Sequence, residues 1–306
     1  MTLTMVELVL FTILTAATPL VIAAIGELVT ERSGVLNLGV EGMMIAGAAC
    51  AFAVAIVTGS MALGILAGIG AGMLLSSVFG VLVIFLAANQ VATGLALTIL
   101  GTGLAGLVGS GFIGLKRDAA VHLHIPFLSD LPLIGKLLFS HDLFVYLGWA
   151  LVAGVAWFLN RSRSGLVLRA IGENHHSAHA LGLPVRGVRF LAVLFGGACA
   201  GLAGAYLSLS YTPFWAPGMT AGRGWIALAL VVFASWRPLY AFAGALLFGG
   251  TTVLQLHAQA AALGIPGQLL TAMPYLATIV ALVVLSLRRR GSVAPASLGL
   301  NFLPER

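Results

Sequence analysis

Few side chains in this sequence could do chemistry, and their spacing narrows what that chemistry can be. The densest cluster is the stretch RSRSGLVLRAIGENHHSAHALGLPVRGVR, from Arg161 to Arg189, where five arginines stand against one acid, Glu173. His175 and His179, four apart, would share one face of a helix, a spacing that metal sites use. No cysteine or further acid beyond Glu173 completes a ligand set with them and His176, so exposed loop histidines are expected and no metal. Only two lysines occur, Lys116 and Lys136, and neither follows the glycine spacing of a phosphate-binding loop. No cofactor is therefore expected on this chain, and any ATP and magnesium belong to a partner. No histidine falls mid-span, so no nucleophile–base or metal constellation is available to an intramembrane enzyme. What remains is binding and the transfer of force.

A second set of polar residues borders apolar stretches. Glu41 precedes a run from Gly42 to Leu115 without one charged residue. It is either an acid inside the bundle facing the solute path or a helix-start carboxylate favoured by the dipole. Asn37, four residues earlier, would lie on the same helical face. Asn89 and Gln90 fit a turn between spans better than a cavity lining, although both readings stay open. Tyr211, Phe214 and Trp215 cluster in a proline-bounded segment, as interface anchors or as a stacking platform for a ring-bearing solute.

The elements that must position these residues are set by composition. Of 306 residues, 60% are hydrophobic and 8% charged, whereas soluble domains run near one quarter charged. An all-α polytopic membrane protein accounts for this balance, because lipid forces every span to satisfy its own backbone hydrogen bonds. The long continuous apolar runs exclude a transmembrane β-barrel. The formal charge of +6 sits in a few loops and the tail, so it sets orientation and does not point to nucleic acid. Cys50 and Cys199 lie within apolar runs as structural thiols. The N-terminus lacks a basic region and reads as a first span rather than a cleaved signal.

Spans are expected at about 5–25, 36–57, 61–88, 91–112, 143–159, 189–209, 239–256 and 268–287, since about 20 helical residues cross the hydrocarbon core. Trp225 to Trp236 is too short to cross alone: it either begins near Pro217 or is a half-helix, which makes about nine transmembrane helices with discontinuous ones allowed. The result is a single transmembrane domain over 1–290, with an external loop at 113–142, a basic loop at 161–189 and a tail at 291–306. The positive-inside bias places the basic loop and the tail in the cytoplasm, and four segments between them keep the count consistent. Within the basic loop, Asn174 suits an N-cap, Gly182 a C′ residue and Pro184 a stop, which predicts a helix of about two turns.

Three stretches carry a resemblance. RAIGENHHSAHALGLPVRGVRF resembles the coupling segment of ABC importer permeases of the branched-chain amino acid and simple-sugar class. SGVLNLGVEGMMIAGA, from Ser33 to Ala48, is similar to that class's N-terminal signature. The run from Gly196 to Leu239 extends the match over most of the chain. Within the class, the shorter of two paired permeases in purine-nucleoside importers is the most similar subgroup. The resemblance implies a permease of the bacterial inner membrane that works by alternating access. It also implies an ATP-binding subunit, a second permease subunit and an extracytoplasmic solute-binding protein as partners. Arg169, Gly172, Glu173, Asn174, Ala178, Leu181 and Gly182 would then form the surface that docks into the ATPase. The family often carries proline after Gly-Glu-Asn, where this chain has His175. The implied solute is small, polar and uncharged, a nucleoside before a simple sugar. An ion-coupled carrier is the rival class, but it would be expected to hold ionisable pairs at mid-membrane, and Glu41 is the one candidate.

Overall fold

The computed structural model describes residues 3–120, 134–261, 266–288 and 294–303. Among the described residues the chain is all-helical, with two isolated β-bridges and no strand. Among the described residues seven helical stretches are long and apolar enough to cross a membrane. They are α1 (Leu3–Arg32), α2 (Val40–Thr58), α3 (Met61–Gly80) with a π turn after it, α4 (Gln90–Gly109), α6 (Leu143–Arg161), α9 (Val185–Tyr206) and α11 (Pro238–Ala260). Shorter helices are α5 (Ile134–Phe139), α7 (Arg163–Glu173), α8 (His175–Ala180) and α10 (Arg223–Phe233), and α12 (Gly267–Arg288) closes the series. His122 and His124, and much of the expected external loop, lie outside the described residues.

The core forms where α1, α2, α3 and α9 cross. Fourteen of the 19 residues of α2 are buried, so this helix is apolar all round, as a central element must be. In lipid there is no water to squeeze out between helices, and close backbone approach supplies the attraction instead. The contact of α3 with α9 shows this, since a Cβ on Gly72 would stand 2.1 Å from the carbonyl oxygen of Gly197. The outer surface carries exposed large apolar residues such as Leu74, Ile99, Leu107 and Leu191, a surface suited to lipid.

Two boundaries differ from the expectation, for related reasons. The first helix does not stop near Ile25 but runs on to Arg32, and its 30 residues measure about 45 Å. It can do so because each of its two buried acids finds a donor within the protein, although Glu27 Oε2 has none. The Asn37 backbone N–H donates to Glu27 Oε1 at 3.2 Å, and Trp236 Nε1 donates to Glu31 Oε2 at 2.6 Å. The second helix begins at Val40, not 36, so Asn37 and Glu41 do not share a helical face. Asn37 instead accepts from the Gly39 N–H at 2.9 Å, an Asx turn that competes with helix and delays its start.

The short apolar stretch near Trp225 is a half-helix. It starts at Arg223 after turns that include Gly222 at φ +81° and ends before Ser235 and Trp236 at φ +52° and +55°. Its 11 residues reach about 16 Å, roughly half of the hydrocarbon core.

The polar breaks gather at opposite ends of the bundle. At one end Arg32 donates through Nε and Nη2 to the Trp236 carbonyl, and Arg189 donates to the Ser33 carbonyl. At the other, Arg117 donates to the carbonyls of Ala55 and Gly59, and Ser210 Oγ donates to Asp142 Oδ2. Arg32, Trp236 and Arg189 thus meet at one end of the bundle, and Arg117, Asp142 and Ser210 stand at the other.

Candidate functional site

The basic loop folds into two helices. Ser162 caps α7, accepting from the Gly165 N–H at 2.9 Å. At the far end of α7, Gly172 lies against α1: a Cβ there would stand 2.1 Å from the Arg32 carbonyl oxygen. The motif glycine is thus needed for close approach. Glu173 and Asn174 follow as exposed residues, and Asn174 Oδ1 accepts from the Ser177 N–H at 3.0 Å, capping α8. The helix ends in the pattern that glycine favours. Gly182 takes φ +78°, its N–H donates to His179 and the Leu183 N–H donates to Ala178, at 2.8 and 3.1 Å.

The six residues of α8 have an inner and an outer face. His175 and Ala178 are buried, while His176, Ser177, His179 and Ala180 are exposed. Leu181, just beyond, is 81% exposed, an apolar side chain with nothing over it among the described residues. Arg169 lies elsewhere: it lines a pocket with Arg32 and Arg237.

The inner face of α8 rests on the end of the chain. Phe302 joins Ile171, Ala178 and Val185 in a small apolar cluster, and its ring meets those of His175, His176 and His179 at centroid distances of 5.4, 5.8 and 5.2 Å. Ser297 ties the same segment to α7, its N–H donating to the Gly172 carbonyl at 2.9 Å and its Oγ to that of Glu173 at 3.3 Å. Arg189 is the junction. It is 2% exposed, and it donates to the carbonyls of Ser33 and Leu300 and to His175 Nδ1, at 3.0, 3.1 and 3.1 Å. One guanidinium therefore joins α9, the α1–α2 linker, the C-terminal segment and α8.

Glu41 holds the half-helix. Its Oε1 accepts from Thr220 Oγ1 at 2.6 Å and from the Gly222 N–H at 2.9 Å, and its Oε2 accepts from the Gly224 N–H at 2.6 Å. These donors stand at the N-terminus of α10, where backbone N–H groups and the helix dipole attract an anion. A Cβ on Gly224 would come within 2.6 Å of the Glu41 backbone, so the two elements touch main chain to main chain.

The other solute-path candidates are engaged in structure. Asn37 is fully buried in its turn, and Asn89 caps α4, accepting from the Ala92 N–H at 2.9 Å. Gln90 is 4% exposed; its Oε1 accepts from the Leu36 N–H at 2.8 Å and its Nε2 donates to Asn301 at 3.2 Å. Trp215 is buried against Gly109, whereas Phe214 is 42% exposed beside it.

The motifs that form this geometry have counterparts in known proteins. A family model described as "Branched-chain amino acid transport system / permease component" matches residues 9–287. The chain belongs to that permease family. A putative glucose ABC transporter permease of Haloferax volcanii is 48% identical over 254 residues, 82% of this chain and 77% of its own. A nucleoside ABC transporter permease of Lactococcus lactis is 31% identical over 314 residues, 98% of both chains. A guanosine ABC transporter permease of Bacillus subtilis is 31% identical over 280 residues, 87% of this chain and 88% of its own. The protein is an ABC transporter permease, a multi-pass protein of the bacterial inner membrane and not an enzyme.

Two parts of the permease's basic end escape sequence reasoning. The segment from Ala294 to Leu303 reads as a solvated tail, yet Ser297 and Phe302 are buried. Leu298 and Phe302 pack inward while Leu300 between them is 54% exposed, so the apolar alternation is only part of a signal for a packed strap. The role of Arg189 carried no signal at all, because its partners stand 14 to 156 residues away. Among the described residues no group of three or more His, Cys, Asp or Glu could hold a metal ion.

His175 makes this end sensitive to acid. Burial first, then the Arg189 guanidinium and His176, push its imidazole down from 6.5 to about 4. Geometry demands the same state, since Nδ1 must stay unprotonated to accept from Arg189. The unfolded loop binds a proton near pH 6.5 and the folded one only near 4, so the stability His175 supports is complete above 6.5 and is lost as pH falls toward 4. The protection of residues 171–189 against hydrogen exchange, taken relative to the intrinsic exchange rate at each pH, should therefore fall between pH 6.5 and 4, and His175→Gln should flatten that part of the profile.

Proposed function

We propose that this permease is the membrane subunit of an ATP-driven importer for a small uncharged polar solute, with a nucleoside as the first candidate. The observation that carries the reading is α8. A capped six-residue helix is held rigidly from behind by Arg189 and Phe302 while presenting Glu173, Asn174 and Leu181 outward. A solvated loop needs neither the caps nor the buttress. In this reading α8 is a coupling helix on the cytoplasmic side, Gly172, Ala178 and Gly182 shape it, and a separate ATPase subunit, which binds the ATP and magnesium, receives it. Arg169 supports the loop from the rear.

The chain crosses the membrane about nine times, counting α12 and the half-helix α10. A second homologous permease completes the solute path, and an extracytoplasmic binding protein delivers solute to it. ATP-driven closure of the ATPase pair moves α8, and the junction at Arg189 passes that motion to the α1–α2 linker and, through Glu41, to α10. Glu41 positions the half-helix beside the path; no covalent chemistry is involved. Nucleosides come first because relatives named for them align along 87% and 98% of this chain. Simple sugars are the second reading, favoured by the 48% identity to a putative glucose permease.

Glu173→Arg tests the coupling role. The variant should insert normally but fail to co-purify with the ATPase subunit; normal co-purification would sink the assignment. Uptake of labelled nucleoside in the assembled transporter, challenged with unlabelled nucleosides, sugars and amino acids, decides the solute class.

A further inference from the structure

We propose that the basic pocket beside α6 and α11 binds the phosphate-bearing headgroup of an anionic phospholipid. The pocket has a volume of about 450 Å³ and brings together Arg32 at the end of α1, Asn160 of α6, Arg169 of α7, and Arg237 and Tyr240 at the start of α11. No carboxylate lines it. Among the described residues none of the three guanidiniums is in an ion pair. Arg32 donates only to the Trp236 carbonyl, and Arg237 lies 5.5 Å over the Tyr240 ring. Arg169 Nε is buried without a hydrogen-bond partner. Glu173 acts on the Arg32 charge from outside the pocket without pairing with it, and the three like charges repel one another, while guanidinium forks suit phosphate oxygens.

A lipid fits better than a free anion because of what adjoins the pocket. A second cavity of about 630 Å³ shares Leu239 with it and is lined by apolar side chains, among them Ile13, Trp149, Val152, Phe242 and Leu246. On α6, Trp149, Val152, Ala153, Ala156 and Asn160 line the two cavities in turn. They follow helical spacing along one face, so the groove runs for about 16 Å. Its apolar length suits an acyl chain. Arg32 and Arg237 sit at the ends of membrane-spanning helices, the depth of lipid headgroups, and Arg169 reaches the same pocket from α7.

The test uses the full chain purified in a neutral detergent and native mass spectrometry with phosphatidylglycerol, phosphatidylcholine of the same chains, or inorganic phosphate. Phosphatidylglycerol should be retained at one per chain, and the other two should not. The double variant Arg169→Gln, Arg237→Gln should hold phosphatidylglycerol at least about tenfold less well, and the corresponding double lysine variant should keep most of it. Arg32 is left intact because it holds the Trp236 carbonyl. If the double variant does not fold, Arg237→Gln alone, at an exposed position, serves instead. Equal retention of inorganic phosphate or phosphatidylcholine would overturn the assignment, as would unchanged phosphatidylglycerol binding in the glutamine variants. Loss of ATPase co-purification with lipid binding intact would also overturn it and give the arginines to a protein partner.

Discussion

Glu41→Gln should lower solute uptake by about tenfold or more while the chain still inserts into the membrane. The carboxylate accepts three hydrogen bonds, two of them from backbone N–H groups at the start of α10. Bonds to an ionised acceptor contribute about 1.5–3 kcal/mol each, and the amide replaces one accepting oxygen with a donor that faces an N–H. Losing one such bond is enough for a tenfold shift between a seated and a loose half-helix. Hydrogen exchange at residues 220–226 should quicken in the variant, and Glu41→Asp should recover part of both signals. Uptake at the normal rate in Glu41→Gln would show that transport does not need the clasp.

Phe302→Ala should uncouple transport from ATP hydrolysis. The ring fills the space between α8 and α7, and truncating a buried Phe costs about 3–5 kcal/mol in a core that cannot close up. Phe302 is 4% exposed but stands between exposed Asn301 and Leu303, so collapse of the strap will absorb part of that cost. The remainder falls on α8, too short to hold its own shape without support. The expected result is an inserted permease whose assembled complex hydrolyses ATP with little uptake; Phe302→Leu should restore much of it. Tight coupling in Phe302→Ala would mean that Arg189 alone holds the helix.

The sequence by itself determined features that depend on local or bulk properties. Its apolar balance requires spans, because backbone groups in lipid have no other partner. The ends of α8 could be read from Asn174, Gly182 and Pro184, since capping is a matter of a few neighbouring residues. Counting residues against bilayer thickness showed that Trp225 to Trp236 could not cross alone, and the structure chose the half-helix over a start near Pro217. The limits of α1 and α2 were not legible in the same way: Glu27 and Glu31 look like loop residues until Asn37 and Trp236 are brought to them.

Only the tertiary structure decided what the polar residues do. Glu41 stands in the first turn of α2, as one of its two readings had it, and its bonds from Gly222 and Gly224, 181 and 183 residues away, also make it the anchor of a half-helix. Arg189 reads as one more positive charge in a loop, and the fold turns it into a buried junction of four segments. The tail becomes a buttress for the same reason. A buried charged or aromatic side chain takes its role from the donors, acceptors and surfaces that surround it, and in a bundle of long helices those partners come from distant parts of the chain.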